Sequence, residues 1–372
     1  MMTTIMRNVD IFKAMESWAP LNLAYDWDNV GLQIGSFHKP VKKVMVTLDV
    51  LETTVDEAIE NDVDLIIAHH PLLFKPLKQV NVDTPKGIII QKLLQNNISV
   101  YAAHTNLDSA NGGVNDMLCD LLDVQNTEIL DQNTVEKLVK LAVFVPKTHA
   151  GEVRDAMSEN GAGHIGNYSH CTFQSPGQGT FKPLEGTDPY IGTQGDVAFV
   201  DEVKIETIMP QSKLSPVLAA MMTAHPYEEA AYDIYPVENS GTAYGIGRIG
   251  TLSQESTLET LCEQVKTAFN VPSVRVTGDL AKKVSKVAIL GGSGEKYINK
   301  AKKMGADVYI TGDMTFHVAQ DAQEMGLSII DPGHHVEKVM KDYVKSFLEN
   351  YFTSDELEIS ISKANTEPFQ FI

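Results

Sequence analysis

The stretch Asp64-Leu65-Ile66-Ile67-Ala68-His69-His70-Pro71-Leu72-Leu73-Phe74 carries an apolar run of strand length directly into two adjacent histidines and a proline. It reads as the buried strand of an α/β unit whose carboxyl end delivers imidazoles to a cleft. Neighbouring residues of an extended strand face opposite sides, but at a strand end the backbone can turn so that both reach one place. Pro71 fixes its own φ and biases His70 towards an extended conformation, which sets the direction of the pair. On this stretch alone, two loop histidines without a ligand are an alternative.

Outward from it, the order is strand (Val44 to Leu48), helix (Thr54 to Asn61), strand (Asp64 to Ala68), with the short connections of a βαβ unit. The same order and spacing return at Val287-Ala288-Ile289-Leu290-Gly291-Gly292-Ser293-Gly294, a helical stretch to Met304, and Asp307 to Asp313, so His70 and Asp313 fall on equivalent strand ends. The pattern implies an internal duplication. Each half continues into a further strand ending in polar residues: Ile98 to Ala103 before His104-Thr105-Asn106-Leu107-Asp108, and Leu327 to Ile330 before Asp331 to Glu337. In open α/β sheets ligands sit beyond the carboxyl ends of the strands, and all four polar clusters lie at such ends. A helix over residues 9 to 18 opens the chain, and Trp27-Asp28-Asn29-Val30-Gly31-Leu32-Gln33-Ile34-Gly35 reads as a turn feeding a strand, with Asp28 and Asn29 as turn formers in preference to site residues.

Between the halves, from about Glu136 to Glu238, the pattern is strand-like at Leu141 to Pro146, helix-like at Ala150 to Asn160, strand-like at Val203 to Met209, helix-like at Lys213 to Met222 and strand-like at Ala231 to Pro236. That order suits a ferredoxin-like module inserted into the first fold. Its glycine-rich middle, Gly161 to Gly195, reads as loops and hairpin turns or as a small-ligand loop, and His225-Pro226-Tyr227-Glu228-Glu229 as a turn before a strand or a second site.

The 372 residues suffice for two or three domains, and 30 basic against 49 acidic residues give a net charge of −19. Such a charge repels a phosphate backbone or an anionic membrane surface, so nucleic acid is not the expected main partner. Cys119, Cys171 and Cys262 are scattered and form no CxxC pair, which points to buried thiols rather than a disulfide framework or zinc knuckle. With no long apolar run and no signal-peptide pattern at the N-terminus, the chain reads as a reducing, cytoplasmic protein.

Six of the eleven histidines, His69, His70, His104, His317, His334 and His335, fall at or near the strand ends, with Asp108, Asp313 and Glu337 beside them. Imidazole and carboxylate together are the ligand set of zinc, manganese or iron, and a carboxylate can bridge two ions. His334 and Glu337, three apart, can project from one face of a first helical turn. Gly291-Gly292-Ser293-Gly294 lacks the Lys-Ser/Thr of a P-loop and reads as a turn.

In combination, His69-His70-Pro71, His104 to Asp108, Gly333-His334-His335-Val336-Glu337 and Trp27 to Gly35 resemble the dinuclear metal-centre family of GTP cyclohydrolase I type 2 homologues, the NGG-interacting-factor-three-like proteins. The resemblance covers residues 1–130 and 240–372 as a duplicated α/β core, while residues 131–239 resemble the PII- or CutA-like insert of longer bacterial members. It implies two divalent metal ions, zinc first with iron or manganese as alternatives, held by His69, His70, Asp108, His334 and Glu337. Some members place the glutamate four residues after the first histidine. Here the spacing from His334 is three, so His334 and His335 are both open as the ligand, with His334 preferred because it follows Gly333. The resemblance further implies a homohexamer and a small-molecule substrate, a nucleotide by the family name, hydrolysed with His104 or His317 moving protons. Lys75 and Lys78 are candidates to meet its phosphates, or are solvated loop lysines. The competing class is a non-enzymatic, metal-dependent regulator or assembly protein whose insert senses a small ligand.

Overall fold

The computed structural model describes residues 5–353 and 357–372, and the chain forms two compact units, one of residues 1–134 and 244–372 and one of residues 135–243. In the first unit, α1 (Asn8–Trp18) buries Ile11, Phe12 and Met15, and is followed by β1 (Gly31–Ile34), β2 (Lys43–Thr47), α2 (Glu52–Glu60) and β3 (Leu65–Ala68). Next come α3 (Pro85–Gln95), β4 (Ser99–Ala102), α4 (Thr105–Ser109), α5 (Val114–Leu121) and the long β5 (Val124–Pro146), which leads into the second unit. Thr84 accepts a hydrogen bond from the Gly87 amide while Pro85 occupies the first helical position, which fixes the start of α3.

The second unit holds α6 (Ala150–Glu159), β6 (Thr172–Phe181), β7 (Ala198–Pro210), α7 (Leu214–Ala224) and the start of β8 (Tyr232–Thr257). The order of its strands across the sheet is β6-β7-β5-β8, the ferredoxin-like arrangement. Val153 and Met157 of α6 and Val217 and Met221 of α7 cover Leu141, Val143, Ile205 and Met209 of the sheet. The glycine-rich middle departs from the loop expectation, because ten of its residues form β6. That strand lies at an edge of the sheet, paired on one side with β7, and an edge position tolerates Pro176 and glycines that an inner strand would not.

After β8 the chain returns to the first unit with α8 (Leu258–Ala268), β9 (Arg275–Thr277), β10 (Lys283–Ser293), α9 (Ile298–Lys303), β11 (Val308–Gly312), α10 (Phe316–Glu324) and β12 (Ser328–Asp331). A 3-10 helix (His334–Val339), α11 (Met340–Tyr351) and β13 (Glu358–Ile361) follow. One sheet runs β1-β4-β3-β2-β13 and the other contains β8-β10-β11-β12-β9.

The two sheets repeat one plan. β2, β3 and β4 are parallel, as are β10, β11 and β12, and each trio has an antiparallel edge strand drawn from just before it, β1 on β4 and β9 on β12. Side chains repeat as well. Asp64 accepts from the Lys42 and Lys43 amides at 2.8 and 3.1 Å, and Asp307 from those of Ser285 and Lys286 at 3.0 and 2.9 Å. Gly35 and Gly278, at φ +107° and +110°, each leave no room for a Cβ, which would lie 2.3 Å from the Ser99 hydroxyl and 2.6 Å from that of Ser328. Because the central strands are buried on both faces, they read as continuous Val/Ile/Leu runs, and their carboxyl ends are the places left for polar side chains.

Candidate metal centre

β3 ends at Ala68, yet its ladder continues for two more residues: the His69 amide bonds to Thr47 O and that of His70 to Leu48 O. The backbone then turns at Pro71, and both imidazoles point to one place, their ring centres 5.2 Å apart. Asp108 comes from α4 and Glu337 from the 3-10 helix, each nine residues beyond the serine that opens the third parallel strand of its half. The duplication therefore supplies one carboxylate from each side. In the 3-10 helix, residues three apart eclipse, which stacks His334 over Glu337.

Glu337, only 3% exposed, is the hub. Its Oε2 lies 3.0 Å from His70 Nε2, 3.1 Å from His334 Nε2 and 3.8 Å from His69 Nε2, the last beyond a hydrogen bond. Two groups of potential ligand atoms share it, His69/Asp108/Glu337 and His70/His334/Glu337, and a third joins His69, His70 and His104. Each imidazole is tethered through Nδ1: His69 to Ala103 O at 2.8 Å, His70 to Asp49 at 2.7 Å, His104 to Asp28 at 2.9 Å and His334 to Asp313 at 2.6 Å. That pattern leaves Nε2 of all four for the centre, the orientation that outer carboxylates and carbonyls impose on metal-binding histidines. The glycines of Gly291-Gly292 also take part. At Gly292, φ +66°, a Cβ would lie 2.4 Å from Glu337 Oε1 and 3.3 Å from His334 Nε2, so what reads as a turn in sequence is the clearance for the central carboxylate.

The fit to a cation rests on two buried atoms. Among the described residues, His69 Nε2 and Asp108 Oδ1 have no hydrogen-bond partner, and they face each other at 3.6 Å. A shared ion would satisfy both. The protonation state agrees. Burial alone would lower the His70 pKa, but hydrogen bonds to Asp49 and Glu337 outweigh it and carry it up to about 10. The bond to Glu337, against burial, raises that of His334 to about 9. Burial pushes the Asp108 carboxyl up to about 6, whereas Glu337, though buried, is held well below the usual range by its histidines. These shifts mark a carboxylate-rich pocket that favours positive charge.

Two cavities meet the cluster, and both are lined by His70 and His334. One, of about 440 Å³, is walled by Tyr25, Trp27, Phe74 and Tyr297 and reaches His104, Asp108 and Glu337. The other, of about 820 Å³, is bounded by Asp49, Asp313, His335 and the C-terminal residues 366–371. Of the two adjacent histidines after Gly333, His334 therefore joins the cluster and His335 faces the second cavity. His317 does not join it: it lies in the first turn of α10, its ring bonded to Gln320 at 3.2 Å, and it lines neither cavity. Lys75 and Lys78 are exposed and line neither cavity, while Lys296 lines the aromatic one. Asp28 corrects the turn reading: its carboxylate accepts from the Thr105 amide and hydroxyl as well as facing His104, and despite burial these partners bring its pKa to about 2. Asp49 was not singled out by sequence, because a lone aspartate after a strand carries no signal.

A duplicated α/β core that gathers imidazoles and carboxylates at its strand ends defines a protein whose His/Asp/Glu cluster can hold a metal ion. The chain belongs to the Duf34/NIF3 (NGG1p interacting factor 3) family, whose profile matches residues 6–368. It is 50% identical to the GTP cyclohydrolase 1 type 2 homolog of Halalkalibacterium halodurans over 364 residues, 97% of this chain and 98% of that one, and 50% identical to the protein of the same name from Bacillus subtilis with the same coverage. Among solved structures, a Bacillus cereus protein related to NIF3 superposes over the whole of both chains with a TM-score of 0.92 at 51% identity. Among the described residues, no helix is long and apolar enough to cross a membrane.

Proposed function

We propose that the protein is a dinuclear metal-dependent hydrolase of a nucleotide or related small molecule. The observation that carries the proposal is the sharing of Glu337 between the His69/Asp108 and His70/His334 groups, since one carboxylate oxygen pair can serve two ions. His69, Asp108, His70, His334 and Glu337 would hold the ions; zinc suits this donor set first, with iron or manganese as alternatives. When bound, such a pair supplies Lewis acidity and a water activated near neutral pH. The chain's own residues do the rest. Tyr25, Trp27, Phe74 and Tyr297 form an apolar wall for a flat ring and exclude water beside the centre, and Lys296 at the same wall offers a cation to a phosphate. His104, oriented by Asp28 through Nδ1, presents Nε2 to the centre and carries the proton to the leaving group.

GTP is the first substrate to test, because relatives carry the name GTP cyclohydrolase 1 type 2 homolog. Hydrolytic opening of its imidazole ring would release formate. Formate released by the metal-loaded protein and not by the metal-stripped one supports that substrate; no release with full metal content rejects it, and a screen of other nucleotides and phosphoesters then decides the class. A hexamer, implied by the resemblance, is tested by light scattering. A second reading, a metal-dependent regulator, draws on the second unit, whose own cavity of about 650 Å³ is lined by Phe181, Tyr190 and Tyr227 with Glu202 and Glu228 and has the size of a small-ligand site.

A further inference from the structure

The segment after β13 is tied down link by link until it reaches the metal centre. β13 pairs in parallel with β2, the strand that ends at Thr47, two residues before Asp49. Glu57 of α2 then accepts from the Ser362 hydroxyl at 2.6 Å and from the Lys363 and Ala364 amides at 2.8 and 3.1 Å. These bonds hold the Glu57 carboxyl, despite its partial burial, below the usual range. Two residues further on, the Thr366 hydroxyl donates to Asp49 Oδ2 at 2.5 Å. The other oxygen of the same carboxylate, Oδ1, takes His70 Nδ1 at 2.7 Å, and His70 Nε2 meets Glu337 at 3.0 Å. Beyond Thr366, residues 367–371 line the larger cavity, whose floor includes His70 and His334.

From this chain of contacts we infer that the C-terminal segment is a working part of one metal position and not of the other. Thr366 is a positioning residue: by occupying one oxygen of Asp49 it leaves a single oxygen for His70 and fixes the rotation of that imidazole. Residues 367–371 guard the His70/His334/Glu337 position where it borders the larger cavity. Among the described residues the His69/Asp108 side has no such tie, because His69 is fixed by the Ala103 carbonyl at the end of β4. The two ions are therefore held unequally, and the one at His70/His334 is controlled by the last residues of the chain. This inference rests on the proposed dinuclear centre.

The test uses the full protein loaded with cobalt(II), Thr366→Val, Thr366→Ser, and a chain ending at Ala364, which keeps β13 and the Glu57 bonds. Readouts are cobalt content per chain, the visible absorption of the bound cobalt, and the two rates at which a chelator removes it. Loss of an outer partner of a metal-binding histidine costs roughly 10–100-fold in affinity; Thr366 acts one bond further out, so Thr366→Val should speed removal of one ion about 3–10-fold and leave the other rate within about twofold. The truncated chain should lose the same ion about 10-fold or more faster, and Thr366→Ser should restore the native rate and spectrum. Equal acceleration of both ions, or no acceleration in either the valine variant or the truncated chain, overturns the inference while leaving the centre standing. Native protein that binds no cobalt overturns the centre itself. Unchanged circular dichroism in each variant separates these outcomes from misfolding.

Discussion

Replacing Glu337 by Gln keeps the shape of the central side chain and removes only its charge. In the metal-free protein that charge faces His70 at 3.0 Å and His334 at 3.1 Å from a position only 3% exposed. The His70 ring, about a quarter exposed, has its pKa lifted from 6.5 to about 10, and at pH 7 a lift of that size corresponds to stabilisation on the order of 4 kcal/mol. Asp49 supplies part of it through the other ring nitrogen, so Glu337→Gln should cost roughly 2–4 kcal/mol, in the range for breaking one side of a buried ion pair. Urea denaturation of the metal-free proteins at pH 7 measures the difference, and NMR titration of the His70 ring should show its pKa falling by a unit or more. The same substitution should reduce bound metal from two ions per chain to one or none. A variant within about 1 kcal/mol of the native protein that still binds two ions would refute the role of Glu337 as the shared carboxylate.

The metal-free protein should lose stability as pH rises. The raised pKa of His70 gives stabilisation that is complete below about 6.5 and is lost as pH climbs to about 10, whereas the cost of the buried Asp108 carboxyl, raised from 3.8 to about 6, accrues between those two values and is complete before the His70 loss begins. Melting temperatures between pH 6 and 10.5 should fall without metal and stay level with it; a rising metal-free curve would contradict the assignment. Metal binding at pH 7 should release protons, because His70 and His334 hold them at that pH, and calorimetry in buffers of different ionisation heat reads the number directly; no release would mean that these rings are not ligands. Asp28→Asn should free the His104 ring from its fixed orientation, slowing turnover about 10²-fold at nearly full metal content. A large loss of metal in that variant would make His104 a ligand instead.

Much of the core was legible because its strands are buried on both faces. Leu65 to Ala68 and Val308 to Gly312 are unbroken runs in the sequence for the same reason that their ends are the sites left for polar groups. The spacing between the halves was visible without coordinates, and it places His69-His70 opposite Gly312-Asp313. What could not be read depends on contacts between distant segments. Asp49 and Thr366 are 317 residues apart, and neither stands out from its neighbours until their bond is seen. Asp28 fits a turn by composition, yet its carboxylate is taken up by His104 and Thr105 from beyond β4. β6 was hidden because main-chain pairing with β7, not side-chain pattern, makes it a strand. Lys75 and Lys78 follow the histidines in sequence, but they are exposed and line neither cavity, and Lys296 from the other half stands at the aromatic cavity.

The most direct test is the number and location of metal ions in the native protein and in His69→Ala and His334→Ala. Elemental analysis of protein loaded with excess zinc and desalted should give two ions per chain, and anomalous diffraction should place them on either side of Glu337. Each variant should keep no more than one. A single ion in the native protein, or two ions undiminished in both variants, would contradict a dinuclear centre built around Glu337.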